Sequence, residues 1–340
     1  MKFGGLILVI VVLNFIYTST LKRTDLQQNS PLFAQIEKAG ENADVLYLGE
    51  SSNYSFAPAD TEKKSISEFT AGFFPTLSFT AIDTGAVHAG IYKKWIQYLD
   101  SKSKASTIIV TMNLRSFGAG WIHSELETAL QKSVVLLENR PALVNRFFLS
   151  LKAYDNKNEE ERKKEYLEKW KSEKIDFPFP FQFTTVRQWD DAIANGGIKN
   201  EKGEWDMKKI ELAAHYVKSY AFTIRDDNPR VKDFDDIAEY CRANNKKLVL
   251  HLLAENLEYA DSLVGKELVW LMKNNRDFLV KRYQSKGVMV VDNLQNVSGK
   301  DFIDQDWTTE HYVQRGRKQV AKVLADSLKK IFPADFRSAY

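Results

Sequence analysis

The chain has 340 residues, of which 44% are hydrophobic and 12% aromatic, so it is long enough to bury a substantial core in one or two domains. Its 48 basic and 45 acidic residues nearly balance to a net charge of +3, which argues against a nucleic-acid partner. The single cysteine, Cys241, excludes an intramolecular disulfide and a cysteine zinc site.

The amino-terminal run 3–20, FGGLILVIVVLNFIYTST, carries no charge and is followed by Lys22 and Arg23. A bilayer core needs about 20 mainly apolar residues, so we predict that residues 1–22 form a transmembrane signal anchor. The alternative is a cleaved signal peptide, although no small-x-small cleavage site follows the run. Residues 23–42 are interpreted as a polar tether. The sequence therefore indicates the membrane as a partner.

Short strand-like runs then alternate with amphipathic helical patterns. The strand-like runs are 44–49, 76–83, 106–113, 246–254 and 287–293. The helical patterns cover 85–101, 268–286 and 310–332. Nearly continuous Ile, Val, Leu and Met in the later runs is typical of strands covered on both faces. The alternation predicts an α/β fold of three layers, α/β/α, with a mostly parallel five-stranded sheet within residues 43–335.

Residues 150–235 interrupt this alternation. They contain a charged helical pattern at 156–174 and an aromatic, proline-containing connector at 176–183. We interpret the segment as a helical insertion between two strands. A lid over a site and a structural annex are equally compatible with its sequence.

Polar residues and a glycine stand at the ends of the predicted strands. Ser51 and Ser52 follow the first run, Gly85 follows the second, Asn113 ends the third, and His311 opens the final helix. Ligands bind outside the carboxyl ends of the strands in open parallel sheets. A serine hydroxyl becomes a good nucleophile when a neighbouring base, usually histidine, removes its proton, and a carboxylate orients that base. The pattern therefore predicts a serine nucleophile.

His311 is the best candidate for the base, because Asp304, Asp306 and Glu310 lie close to it in sequence. His251 stands inside an apolar strand-like run and is expected to be a core residue. The remaining histidines have weaker support as the base: His88, His123 and His215.

The order of these blocks resembles the SGNH (GDSL-like) hydrolase and acyltransferase superfamily, over residues 43–115 and 246–332. In that superfamily a Gly-Asp-Ser block follows the first strand, Gly and Asn blocks follow the next two, and an Asp-x-x-His block precedes the last helix. The resemblance implies an SGNH, flavodoxin-like fold. It also implies Ser51 as the nucleophile, with Ser52 as the alternative and Glu50 in place of the usual aspartate.

The same resemblance implies an oxyanion hole. Its donors would be the Asn113 amide and the backbone N–H groups of Ser51 and Gly85, with Gly90 as the alternative glycine. A cap at the end of a strand is the other role that the position of Asn113 allows.

The last block departs from the superfamily pattern. Three residues before His311 the chain has Thr308 instead of an aspartate. We predict that Asp306 completes the triad through a longer loop, and Asp304 is the second candidate. Alternatively, Ser51 and His311 act as a dyad.

The sequence contains no phosphate-binding loop, no dinucleotide motif and no histidine spacing typical of metal sites, so we expect no cofactor and no metal. Within the superfamily, the anchor, the divergent serine block and the large insertion resemble cell-envelope acyl-transfer proteins, such as the teichoic acid D-alanyl transfer protein and the alginate O-acetylation proteins. This implies acyl transfer to or from a glycan hydroxyl, beside a membrane-bound O-acyltransferase, with the body outside the cytoplasm. The alternatives are an esterase that releases acyl groups to water and an inactive scaffold of the same fold.

Overall fold

A five-stranded parallel sheet forms the centre of the body, with the strand order β2-β1-β3-β4-β5. The computed structural model describes residues 2–29, 32, 35, 36, 39, 42–100, 103–123, 134–153 and 159–338. The strands are β1 (Val45–Gly49), β2 (Phe79–Asp83), β3 (Thr107–Met112), β4 (Lys247–Leu252) and β5 (Met289–Asp292). All five predicted strands are present, and the strand order is that of flavodoxin-like folds.

The amino-terminal helix begins as α1 (Lys2–Ile16) and continues through a π-helical turn (Tyr17–Leu21) into α2 (Lys22–Asn29). Its stretch Gly4–Asp25 is long and apolar enough to cross a membrane, with a mean hydropathy of 2.0 and 6% of the most apolar window buried. The predicted apolar helix is therefore present. The first part of the predicted tether is helical, and much of the remainder lies outside the described residues.

Among the described residues, twelve further α-helices surround the sheet or form the insertion. They are α3 (Ser51–Tyr54), α4 (Ile66–Ala71), α5 (Ala89–Asp100), α6 (Ala119–Ile122), α7 (Ala142–Ser150), α8 (Glu159–Ser172), α9 (Val186–Gly196), α10 (Met207–Tyr220), α11 (Pro229–Ala243), α12 (Leu257–Leu263), α13 (Lys266–Ser285) and α14 (Gln314–Leu328). The three predicted helical patterns correspond to α5, α13 and α14.

The alternation of side chains along the strands separates two core layers. On one face, Leu46 and Leu48 of β1 pack in the same cluster as residues of α5, α11 and α13. On the other face, Val45 and Tyr47 pack with residues of α14. Both faces are buried, which explains why the strands read as continuous apolar runs.

The predicted insertion, residues 150–235, lies within the long connection between β3 and β4. Near the carboxyl-terminal end of this range, α11 begins at Pro229 and belongs to the helical layer that covers the sheet. The aromatic connector packs on the body: the Phe177 ring lies 5.3 Å from the Trp270 ring of α13, and the Phe181 ring lies 4.8 Å from the Trp189 ring. These contacts favour the structural annex over the lid for the connector.

Candidate active site

Ser51 lies at the junction between the first strand and a short helix. β1 ends at Gly49, and Ser51 opens α3 after an extended Glu50. A Cβ on Gly49 would lie only 2.8 Å from a carbon of the Tyr47 ring, so the close packing of this turn requires glycine. The turn places Ser51 at the carboxyl end of the sheet.

Asn53 fixes this turn to the neighbouring strand. Its amide nitrogen donates to Asp83 Oδ2 at the end of β2, at 2.5 Å, and its amide oxygen accepts from the backbone N–H of Ser67 at 2.9 Å. Asn53 is fully buried. Sequence reasoning missed this residue, because asparagine after a strand is also an ordinary turn residue.

Ser51, His311 and Asp304 form a continuous hydrogen-bonded chain. The distance between Ser51 Oγ and His311 Nε2 is 2.9 Å, and the distance between His311 Nδ1 and Asp304 Oδ2 is 2.7 Å. When Nδ1–H donates to the carboxylate, Nε2 is left as the acceptor for the serine hydroxyl. The Thr309 hydroxyl donates to the same carboxylate oxygen. The arrangement is that of a nucleophile, a base and an orienting acid.

Asp304, and not the predicted Asp306, is the acid that contacts the histidine. The backbone N–H of Ile303 donates to the His311 carbonyl at 2.8 Å, beside an antiparallel bridge between Phe302 and Tyr312. This pairing places Asp304, the residue after Ile303, beside the imidazole of His311. Asp306 lies in the exposed part of the loop between Asp304 and His311.

Thr308, which stands where the resemblance leads one to expect an aspartate, has a packing role. Its side chain is buried, and its hydroxyl lies 3.0 Å from the Ser219 hydroxyl of α10. One residue earlier, the Trp307 ring lies 3.8 Å from the His215 ring of the same helix. The insertion therefore packs directly against the loop that carries Asp304 and His311.

Asn113 lies between the end of β3 and the serine turn. Its amide oxygen accepts from the Arg115 backbone N–H at 2.9 Å and caps the turn Leu114–Phe117, so the cap that the sequence allowed is present. Its amide nitrogen donates to Glu50 Oε1 at 3.0 Å. An amide nitrogen carries two N–H groups, so one remains for a further acceptor.

A buried ion pair ties the end of β3 to the catalytic loop. Arg115 Nε donates to Glu310 Oε1 at 2.6 Å, and Arg115 Nη2 donates to Glu310 Oε2 at 2.5 Å. Both side chains are buried, and Glu310 precedes His311 directly. The pair thus connects the segment that carries Asn113 to the segment that carries the histidine. The sequence showed Glu310 beside His311, but nothing in it marked Arg115 as a buried partner.

Glu50 is buried among these groups, which changes its titration. Burial, followed by the charge of Glu310, raises the pKa of Glu50 to about 8, although the Asn113 amide and the Arg115 charge act in the opposite direction. Burial raises the pKa values of the Tyr47, Tyr54 and Tyr92 phenols, and the nearby Glu50 charge acts in the same direction.

The titration of Glu50 predicts a pH-dependent stability. Between about pH 4.5 and 8, folded Glu50 holds a proton that the unfolded chain releases, so rising pH favours unfolding across this window. We expect the free energy of unfolding to fall through this range in the wild type and to fall less in Glu50→Gln. Denaturant unfolding measured at several pH values tests this, and equal pH slopes for both proteins would contradict it.

Arg317 of α14 clamps the two catalytic segments together. Its fully buried guanidinium donates to the Ser55 carbonyl at 3.0 Å, to the Tyr312 carbonyl at 2.6 Å and to Asp60 Oδ2 at 2.8 Å. Ser55 follows α3, and Tyr312 follows His311. Sequence reasoning missed this residue, because arginine in a helix is usually solvated.

We expect Arg317→Ala to lower the free energy of unfolding by about 3–5 kcal/mol, because it removes the charged partner of Asp60 and leaves that carboxylate only its backbone N–H donors from Ala57 and Gln314. The matched control is Lys322→Ala on the same helix, which removes an exposed ion pair with Asp326 and should cost about 1 kcal/mol or less. Denaturant unfolding of both variants provides the comparison. Equal losses in the two variants would show that Arg317 is not a clamp.

The sequence also singled out Gly85, Gly90 and His251, which lie in different parts of the body. Gly85 follows β2 beside α3, with the Tyr54 hydroxyl 3.8 Å from the position that a Cβ would occupy, so it lies near the serine turn. Gly90, the alternative, lies against the His88 ring at the start of α5. His251 is a fully buried core residue between the Tyr47 hydroxyl, at 3.3 Å, and the Asn293 amide, at 3.0 Å.

In the described part of the chain, no group of three or more His, Cys, Asp or Glu side chains is placed to hold a metal ion.

No protein-family model matches this chain, and no curated protein matches it. Solved structures similar to this chain include two lipases and a lipase/acylhydrolase. An extracellular lipase from Streptomyces rimosus is 12% identical, with a TM-score of 0.40, covering 84% of this chain and 99% of that one. The lipase/acylhydrolase from Enterococcus faecalis is 8% identical, with a TM-score of 0.31, covering 84% of this chain and 96% of that one. A lipase from a goat rumen metagenome is 11% identical, with a TM-score of 0.36, covering 83% of this chain and 96% of that one.

Each of these three structures is 12% identical or less to this chain. Their TM-scores lie below 0.5, so the likeness adds no argument about activity.

Proposed function

We propose that this chain is a serine-dependent acyl-transfer enzyme in which Ser51 carries the acyl group. The observation that carries the proposal is the hydrogen-bonded chain from Asp304 through His311 to Ser51, with distances of 2.7 and 2.9 Å. Such a chain supplies a hydroxyl with a base and supplies the base with an orienting carboxylate. It also argues against the inactive scaffold, because Asp304 places beside His311 the carboxylate that Thr308 lacks.

In the first half-reaction, Ser51 Oγ attacks the carbonyl carbon of an acyl donor while His311 Nε2 takes the hydroxyl proton. The tetrahedral intermediate then collapses, the proton passes from His311 to the leaving group, and an ester remains on Ser51. Asp304 accepts the Nδ1–H bond throughout, so it fixes the tautomer and stabilises the imidazolium.

The oxyanion of the intermediate needs donors. The second N–H of the Asn113 amide and the backbone N–H groups of Ser51 and Gly85 are proposed for this role. The bond from Asn113 to Glu50 fixes the orientation of the amide. Removing one such donor typically costs about 10²–10³-fold in rate.

In the second half-reaction, His311 takes the proton of an acceptor hydroxyl as that oxygen attacks the Ser51 ester, and the serine is regenerated. We propose an envelope glycan hydroxyl as the acceptor and a membrane-bound O-acyltransferase as the neighbouring partner. Two features support this: the resemblance read from the sequence and the apolar amino-terminal helix, which suits a membrane anchor. We propose the body outside the cytoplasm on the resemblance alone.

Hydrolysis is the second candidate function, because water can reach the base. The His311 side chain is 23% exposed, and the described rings of the aromatic connector pack against each other and against Trp270 of α13. A base that solvent reaches can deprotonate water as well as an acceptor hydroxyl.

The experiment that separates the two functions offers both acceptors at once. The purified full chain is incubated with an activated acetyl ester, with and without an oligosaccharide, and both free acetate and O-acetylated sugar are measured. Transfer predicts acetylated sugar that increases with sugar concentration at the expense of acetate. Acetate alone, at saturating sugar, would establish the esterase, and the absence of any turnover would favour the scaffold.

A further inference from the structure

Helix α7 exposes large apolar side chains at its carboxyl-terminal end. Phe147 is 59% exposed, and Leu151, which follows the last turn, is 60% exposed. Neighbouring exposed apolar side chains of this size mark interaction surfaces more often than isolated ones do. We call this patch, Phe147 with Leu151, the α7 apolar patch.

Two polar contacts fix α7 to the apolar amino-terminal helix. The backbone N–H of Leu143, in the first turn of α7, donates to Asn14 Oδ1 at 3.0 Å. One turn later, Arg146 Nε pairs with Asp25 Oδ2 at 2.9 Å, and Asp25 also accepts from the Tyr17 hydroxyl at 2.7 Å. Asn14 stands inside the apolar run, where a polar side chain without a partner is costly in a bilayer.

Helix α7, which carries the α7 apolar patch, therefore lies beside the amino-terminal helix and its exposed apolar surface. That surface includes Leu6, Ile10, Leu13, Phe15 and Ile16, each of them between 41% and 70% exposed. Because α7 and the amino-terminal helix are in direct contact, a solvent or lipid that surrounds one helix also reaches the other. A lipid bilayer is that environment for a helix of this length and hydropathy.

Basic residues frame the patch. Arg140 precedes α7, with its guanidinium 4.7 Å from the Phe148 ring centre, and Lys152 follows Leu151. Arginine and lysine at the edge of an apolar face reach lipid headgroups while their stems stay in the apolar layer. Apolar side chains with basic residues at the rim are typical of helices that lie in the membrane interface.

We propose that α7 is a membrane-interface helix that places Phe147 and Leu151 in the lipid layer beside the amino-terminal helix. The body then has two attachments to one bilayer surface, and the second attachment restricts its rotation about the anchor. This inference is independent of the chemistry at Ser51.

A depth measurement on the full chain tests this inference. Phe147→Cys is labelled with the environment-sensitive fluorophore NBD in a Cys241→Ala background, because Cys241 is the one cysteine of the chain. The protein is reconstituted in phosphatidylcholine–phosphatidylglycerol vesicles with or without doxyl-labelled lipid. The matched control is Met207→Cys at the start of α10, an apolar residue of equal exposure, 60%, outside the patch. Leu151→Cys provides a second position in case the first label disturbs α7.

We expect blue-shifted emission and at least threefold stronger quenching by doxyl lipid at positions 147 and 151 than at position 207. Water-like emission with equal quenching at all three positions would overturn the proposal. Burial of the label in native membranes, but not in pure lipid vesicles, would also overturn it, because the patch would then bind a membrane protein and not lipid.

Discussion

Replacing Ser51 by alanine is expected to lower kcat for turnover of an activated acyl ester by about 10⁴–10⁶-fold. The variant removes the oxygen that forms the ester, so the binding and oxyanion groups that remain give little turnover. Steady-state kinetics of the purified full chain provide the measurement, with folding checked by circular dichroism.

The matched control for this variant is Ser52→Ala. Ser52 is buried next to Ser51, and its hydroxyl has no hydrogen-bond partner among the described residues. We expect Ser52→Ala to retain kcat within about threefold, because no step of the proposed reaction uses that hydroxyl. Loss of activity in Ser52→Ala together with retention in Ser51→Ala would contradict our assignment and make Ser52 the nucleophile.

Asp304→Asn is expected to lower kcat by about 10³–10⁴-fold with little change in KM. Asparagine keeps the size of the side chain but offers His311 Nδ1 either an N–H donor or a neutral oxygen. The imidazole then loses both its correct tautomer and the charge that stabilises its protonated form.

Asp306→Asn is the internal comparison, because this residue lies in the same loop but is exposed. We expect its kcat to stay within about twofold of the wild type. If Asp306→Asn were the inactive variant, the loop would rearrange during the reaction. If both variants stayed active, Ser51 and His311 would act as a dyad.

The strands were predictable because both faces of the sheet are covered. Residues such as Val45 and Leu46 point to opposite layers and are both buried, so each strand leaves a continuous apolar run in the sequence. The nearness of Ser51, Asn113 and His311 was predictable because the ends of parallel strands lie at one edge of a sheet.

The identity of the acid was harder to predict, because it depends on the path of a loop. The antiparallel bridge between Phe302 and Tyr312 sets which aspartate faces His311, and no sequence spacing encodes that bridge. Thr308 occupies the expected position because the insertion packs there through Ser219.

The buried charges could not be predicted from the sequence at all. Arg115 and Arg317 find their partners at residues roughly 200 or more positions away, Glu310 for the first and Asp60 for the second. Arginines are usually solvated, and their burial here follows from tertiary contacts alone. The same is true of α7, whose contact with Asn14 joins two segments that are distant in sequence.

The most direct test of the central claim is mass spectrometry of the full chain after incubation with an activated acetyl ester, without an acceptor and with an acid quench. We expect a mass increase of one acetyl group on the peptide that contains Ser51, lost in Ser51→Ala, kept in Ser52→Ala, and removed when an oligosaccharide is added before the quench. Turnover that leaves Ser51 unmodified at every quench time, or an adduct that persists in Ser51→Ala, would contradict the claim.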